Sequence, residues 1–260
     1  MRTEPRNNGN RNRLRSESLL ENPLQPFELH TYIPLSLFGL DMSVNKAVVF
    51  MWVIVAMATA LIIYAGGRRA LIPSKLQSLA ELLVEFIRGM IQDTMGREGL
   101  KFFPLISTLF LFILFGNLLG LIPGAFTVTS QIVVTGVFAV AMYSLSIMVG
   151  FRMHGLKFLS ILVPSGTPVW LLPFMIPIEL ISQLARPFSL AVRLFANMTA
   201  GHVILGVLFG LTIAGGALLG WLPFSFTIAL YGLELAIAFI QAYIFTILTC
   251  VYFGDAIHLH

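Results

Sequence analysis

Cysteine is nearly absent from this sequence. The 260-residue chain holds one, Cys250, inside an apolar run, so neither a disulfide framework nor a thiolate metal site can be built from it. It reads as a small buried or lipid-facing residue. Charge is equally scarce: 11% of residues are Asp, Glu, Lys or Arg and 57% are hydrophobic, against roughly 25% charged in soluble domains. From residue 101 onward only Lys101, Arg152, Lys157, Glu179, Arg186, Arg193, Glu234 and Asp255 carry charge. An ionised side chain at mid-bilayer costs at least about 2.5 kcal/mol, so this distribution points to lipid as the main solvent. A phosphate loop, a nucleophile–base pair and a catalytic triad are also missing, and with them any expectation of an enzyme or a cofactor site. The net charge of +4 comes without a zinc-finger or RNA-binding signature, so it suggests basic loops at a membrane face rather than nucleic acid. Residues 1–26 are polar and lack the apolar core of a cleavable signal peptide, which predicts a mobile arm ahead of a single membrane domain over 27–260.

What is present is a series of apolar runs. A helix needs about 20 such residues to cross about 30 Å of hydrocarbon, and spans are predicted over about 45–65, 102–122 and 131–151. Between the first two, residues 74–96 place Leu76, Leu79, Leu83, Phe86, Ile87, Met90 and Ile91 at helical spacing opposite Lys75, Gln77, Glu81, Glu85, Arg88 and Gln92. This predicts an interfacial amphipathic helix, with Ser74 and Gln77 as a capping box and Gly96 as its stop. Pro164, Pro168, Pro173 and Pro177 predict an irregular segment over 158–178. Two long apolar stretches follow, about 178–214 and 223–253, reversing near Ala217–Leu218. Counted from Pro187 they make helices of about 42–46 Å, too long for an upright span, so both must tilt steeply or bend. The fold class is therefore an all-α membrane protein of five to six hydrophobic helices, including a hairpin of two long tilted ones, plus the interfacial helix. Arg68, Arg69, Lys75, Arg152 and Lys157 place their loops on the inner face and the uncharged 122–130 loop outside.

The first long helix carries Glu179, Gln183, Arg186, Ser189, Arg193 and Asn197, spaced so that all six fall within roughly 120° of one another along about 27 Å. Lipid cannot face such a stripe. It serves either as inter-helix hydrogen bonding or as an aqueous path facing a partner's charge. Residues facing each other across an antiparallel hairpin have a constant position sum, near 435 for this turn. Arg193 with Gln241 and His202 with Glu234 both come close to it. His202 lies on the far side of its helix from Arg193, so the His202–Glu234 pair belongs to a separate compartment, as a proton relay or as a buried ion pair. Gly206, Gly210 and Ala214 permit close approach of another helix. Asn117 is a lone amide near the outer end of its span, either structural or part of an outer entrance.

SLAVRLFANMTAGH (189–202), FFPLISTLFLFILFGNLLGLIP, IELISQLARPFSL, the ending LELAIAFIQAYIFTILTCVYFGDAIHLH and NPLQPFEL before the first span together resemble the a subunit of the F-type ATP synthase. The similarity covers roughly residues 22–260, and the IHLH ending and FANMTAGH wording are closer to alphaproteobacterial and mitochondrial forms. The resemblance implies a non-catalytic stator subunit of the membrane sector, beside a rotating ring of c subunits that each carry a mid-membrane carboxyl group. It further implies two offset half-channels, coupling of proton flow to ATP synthesis, a b-subunit peripheral stalk among the partners, and a bacterial inner membrane, or the mitochondrial one, as location. On this resemblance Arg193 separates the half-channels, Asn197 and Gln241 accompany it, Glu179 belongs to the inner half-channel, and His202 and Glu234 form a pair exchanged relative to some bacterial members. A ring-independent channel or secondary transporter is the other reading, but no inverted repeat supports it.

Overall fold

The computed structural model describes residues 31–33, 36–37, 40–41, 43–67, 74–122, 125–163 and 168–258. The predicted arm, Arg68, Arg69 and Pro164 lie outside the described residues. Two short antiparallel ladders come first. Strand β1 (Thr31–Ile33) pairs with β4 (Val44–Asn45), and β2 (Ser36–Leu37) with β3 (Leu40–Asp41). The sequence reading did not include these ladders. Among the described residues every element after them is a helix, in keeping with the all-α class.

Among the described residues six α-helices follow: α1 (Lys46–Gly67), α2 (Lys75–Met95), α3 (Phe103–Gly120), α4 (Ile132–His154), α5 (Leu172–Leu219) and α6 (Trp221–Ile257). Among the described residues five helical stretches are long and apolar enough to cross a membrane, and α2 is the exception. Its ends show why it is separate. Ser74 Oγ accepts from the Gln77 amide at 3.3 Å, and Gly96 closes the helix at φ 70°, a left-handed value that glycine takes without Cβ strain. Only half of the capping box forms, because the Gln77 side chain donates to Glu81 Oε1 at 2.9 Å instead of turning back. The second half of α2 is held in the protein through Ile87, Met90, Ile91 and Met95, whereas Leu76, Leu79 and Leu82 are exposed.

Prolines do not delay α5 as the sequence suggested. Among the described residues this stretch holds 3₁₀ turns at Gly155–Leu162 and Val169–Leu171, and α5 begins at Leu172 rather than at 178. Pro173 sits in the first turn, where its missing amide costs nothing, and Pro177 and Pro187 lie inside the helix. Helix α5 runs 45 residues to a kink at Gly216 and α6 37, or about 68 and 55 Å if straight. The chain reverses where Gly216 adopts φ 54° and the Gly220 backbone packs against the carbonyls of Thr212 and Gly216.

The core lies where α6 meets α2, α3 and α5. Ile91, Met95, Phe110, Ile113, Leu190, Leu194, Phe245 and Phe253 are almost completely buried there. Aromatic pairs tie the layers together, Phe102–Phe253 at 4.9 Å between ring centroids and Phe110–Phe239 edge-on at 6.0 Å. Much of the rest of α5 and α6 presents apolar side chains to the outside, including Phe188, Phe209, Ile213, Phe226 and Ile228. An exposed apolar surface of this extent is the mark of a lipid or protein neighbour.

Candidate functional site

The stripe on α5 forms, and it divides into two halves with different neighbours. Toward the start of α5, Gln183 donates to Glu179 Oε1 at 2.9 Å and accepts from the Tyr143 hydroxyl of α4 at 3.4 Å. Arg186 Nη1 reaches Asp255 Oδ2 of α6 at 3.2 Å, the one salt bridge among the described residues. Both side chains are more than a third exposed, so the pair contributes little stability and serves mainly to place charge. A cavity of about 220 Å³ adjoins this cluster, lined in part by Tyr143, Ser146, Gln183, Arg186, Tyr252 and Asp255. Asp255, Tyr143 and Tyr252 were not among the candidates from sequence. Tyr143 belongs to α4 and both Tyr252 and Asp255 to α6, and only the packing of these two helices with α5 brings them to one place.

Further along α5 the stripe comes to the surface. Ser189, Arg193 and Asn197 are exposed. Asn197 Nδ2 donates to Gln241 Oε1 at 3.1 Å, so Gln241 meets the asparagine one turn beyond Arg193 rather than Arg193 itself. Among the described residues Arg193 has no hydrogen bond and no ion pair. Gln241 is 1% exposed and its Nε2 is unpartnered.

Beyond Asn197 the two helices enclose Glu234. Both carboxylate oxygens are buried without a hydrogen bond, beside a cavity of about 180 Å³ lined by Asn197, Gly201, Ile204, Leu230 and Leu233 among others. The residue against Glu234 is Gly201, where an added Cβ would overlap the carboxylate. The His202–Glu234 pair expected from hairpin arithmetic is not hydrogen-bonded, since neither Glu234 oxygen has a partner. His202 is rotated one residue further round α5, and its Nε2 lies 2.7 Å from Thr127 Oγ1 in the loop between α3 and α4. Position sums for the pairs that do form are 435 for Gly201 and Glu234, 438 for Asn197 and Gln241, and 441 for Arg186 and Asp255. The drift shows that α5 and α6 are not two straight collinear rods, and an arginine's length adds to the last value. Asn117, fully buried on α3, donates to the Ala238 carbonyl of α6 at 3.1 Å, and the Tyr231 hydroxyl donates to the Leu121 carbonyl. These two bonds fasten α6 beside α3.

Comparison with known proteins shows the family. The family model of the ATP synthase A chain matches residues 48–254, which includes all eight candidate residues. The chain belongs to that family. ATP synthase subunit a of Rhodospirillum rubrum is 45% identical over 241 residues, 93% of this chain and 100% of the relative. The subunit of Magnetococcus marinus is 48% identical over 244 residues, 92% and 93% of the two chains, and that of Pelagibacter ubique 47% over 241 residues, 92% and 98%. As a subunit a, the chain is a membrane component of the F-type ATP synthase, with a part in proton transport and ATP synthesis.

Proposed function

We propose that this subunit forms two offset aqueous half-channels beside a ring of c subunits, and that Arg193 is the barrier between them. The observation that carries the reading is an exposed guanidinium without an ion pair among the described residues, on a helix otherwise bounded by apolar surface. A cation in that setting is stable only beside an opposite charge. On α6 no acidic residue lies between Glu234 and Asp255, and Asp255 already pairs with Arg186, so the counter-charge comes from another subunit, a mid-membrane carboxylate of the ring. A guanidinium stays protonated under any cellular condition, so it attracts each ionised carboxylate in turn and repels protons that would leak directly between the channels.

The two cavities support the rest of the reading. The larger one, with Glu179, Gln183 and Asp255 near it, serves the inner half-channel. The smaller one serves the outer half-channel, where Glu234 faces space larger than the roughly 30 Å³ share of one water. His202 takes part in the outer path through Thr127, and Asn197 and Ser189 border the ring-facing surface. The basic loops set the orientation in a bacterial inner membrane, and the b subunit of the peripheral stalk and the rest of the complex hold the chain against rotation. The exposed apolar residues of α2, Leu76, Leu79 and Leu82, rest in lipid at the inner face.

Arg193→Ala tests the proposal. In the complete enzyme reconstituted in vesicles it should abolish synthesis driven by an acid–base step and open a passive proton leak. Arg193→Lys should also fail in synthesis, since an ammonium lacks the planar fork and can deprotonate when desolvated. Near-normal synthesis by the alanine variant would overturn the barrier role.

A further inference from the structure

The histidine of the outer path is held by a residue from a different element. Thr127 stands in the α3–α4 loop just before a 3₁₀ turn, Val128–Ser130, and is 4% exposed. Its Oγ1 lies 2.7 Å from His202 Nε2 and 3.5 Å from the Gly120 carbonyl, to which it can donate. Gly120 makes that second contact possible: a Cβ there would fall 2.6 Å from Thr127 Cγ2 and 2.7 Å from its Oγ1. The loop is anchored around this point. Ser130 Oγ donates to the Thr127 carbonyl at 2.7 Å, and the neighbouring Phe126 is buried with the Lys46 ammonium 5.7 Å from its ring centre.

We propose that Thr127 is a positioning residue for proton transfer through His202, a hydroxyl that rotates so the imidazole stays hydrogen-bonded in both of its charge states. A hydroxyl is one donor and two acceptors. When Nε2 is bare, Thr127 Oγ1–H donates to it. When His202 takes up a proton and Nε2 carries hydrogen, the imidazolium donates to Oγ1, and the threonine hydrogen turns to the Gly120 carbonyl. The ring therefore need not break away from its partner, or reorient, each time a proton passes. Among the described residues the ionisable groups on the elements packed around His202 are Glu234 and Tyr231 on α6 and Lys46 on α1. The loop itself, the end of α3 and the adjoining turns of α5 contribute none.

This inference rests on His202 being part of the proton path, and the test separates the two. Proton flux through the reconstituted complete enzyme is measured against the pH of the compartment facing the α3–α4 loop, for wild type, Thr127→Val, Thr127→Ser and His202→Gln. The bond from an imidazolium to a hydroxyl is charge-assisted and stronger than the neutral one, so its loss disfavours the protonated ring. Thr127→Val should therefore move the pH of half-maximal flux downward and lower the flux about fivefold, the worth of one ordinary hydrogen bond. Thr127→Ser should restore both values, and Thr127→Val should add nothing in the His202→Gln background. A Thr127→Val profile that superimposes on wild type, while His202→Gln is impaired, overturns the role of Thr127 alone. An equal loss in both backgrounds does the same, because it marks simple loop packing. Wild-type flux in intact His202→Gln enzyme overturns the relay and this inference together.

Discussion

At the scale of single residues the most telling position is a glycine. Gly201 has no side chain, and the space a Cβ would fill is occupied by the Glu234 carboxylate. Helical glycine is disfavoured by about 1 kcal/mol relative to alanine, so its presence here is explained by the close approach of an acidic group. Gly201→Ala should push Glu234 out of its place between the helices. The expected outcome is a sharp drop in proton flux with normal assembly of the complex, measured by flux in vesicles and by native electrophoresis. Unchanged flux would show that the carboxylate can move without consequence. Glycine at 201 could not be interpreted from sequence, since its reason for being there lies 33 positions away. The α5 polar stripe, by contrast, was legible, because its six members follow the period of one helix and need no partner to be recognised.

At the scale of elements, the segment after α4 shows how a short irregular piece is fixed. Helix α4 ends at Gly155, whose φ of 58° suits glycine, and the 3₁₀ turns that follow fold back so that the Phe158 ring lies on Gly150. A methyl group at 150 would meet three atoms of that ring at less than van der Waals distance. Gly150→Ala should therefore lower stability by about 1–3 kcal/mol, the usual cost of overpacking. The measurement is the thermal unfolding of the purified complex in detergent. Phe158→Leu in the same chain should recover part of the loss, because contacting residues are not additive. The start of α5 belongs to this scale too. Four prolines in the sequence predict a break up to 178, yet Pro173 falls in the first turn of α5, where no amide bond is required, and the helix continues through Pro177 although most side chains from Pro173 to Ile178 are exposed.

At the scale of the whole molecule the five helices long and apolar enough to span a membrane alternate in direction, so their ends gather into two groups. One holds the ends of α2, α4 and α6, where His154 Nε2 lies 3.0 Å from the Ile257 carbonyl and His258 Nε2 3.3 Å from the Met95 carbonyl, and an interfacial α2 should keep Lys75 on that side too. The other holds the α3–α4 loop and the Gly216–Gly220 reversal. In a membrane these groups should face opposite compartments. With Cys250 replaced by alanine, cysteines introduced at Lys75 and Lys157 should react with an impermeant reagent from one side, and one at Gln131 from the other. Labelling of Lys75 and Lys157 from opposite sides would overturn this topology.

The sequence by itself determined the membrane as solvent, the helical class, the amphipathic character of α2 and the face of α5 that carries Glu179, Arg193 and Asn197. Each of these follows from composition or from periodicity within one segment, which are local properties of the chain. Only the tertiary structure decided which polar groups meet. It gave Arg186 the carboxylate of Asp255, gave Asn197 rather than Arg193 the amide of Gln241, and turned His202 from Glu234 to Thr127. The physical reason is that these contacts depend on the bend and rotation of two long helices and on where a loop from a third closes over them. A drift of a few residues in register, too small to alter any hydrophobic pattern, is enough to change every partner along the path.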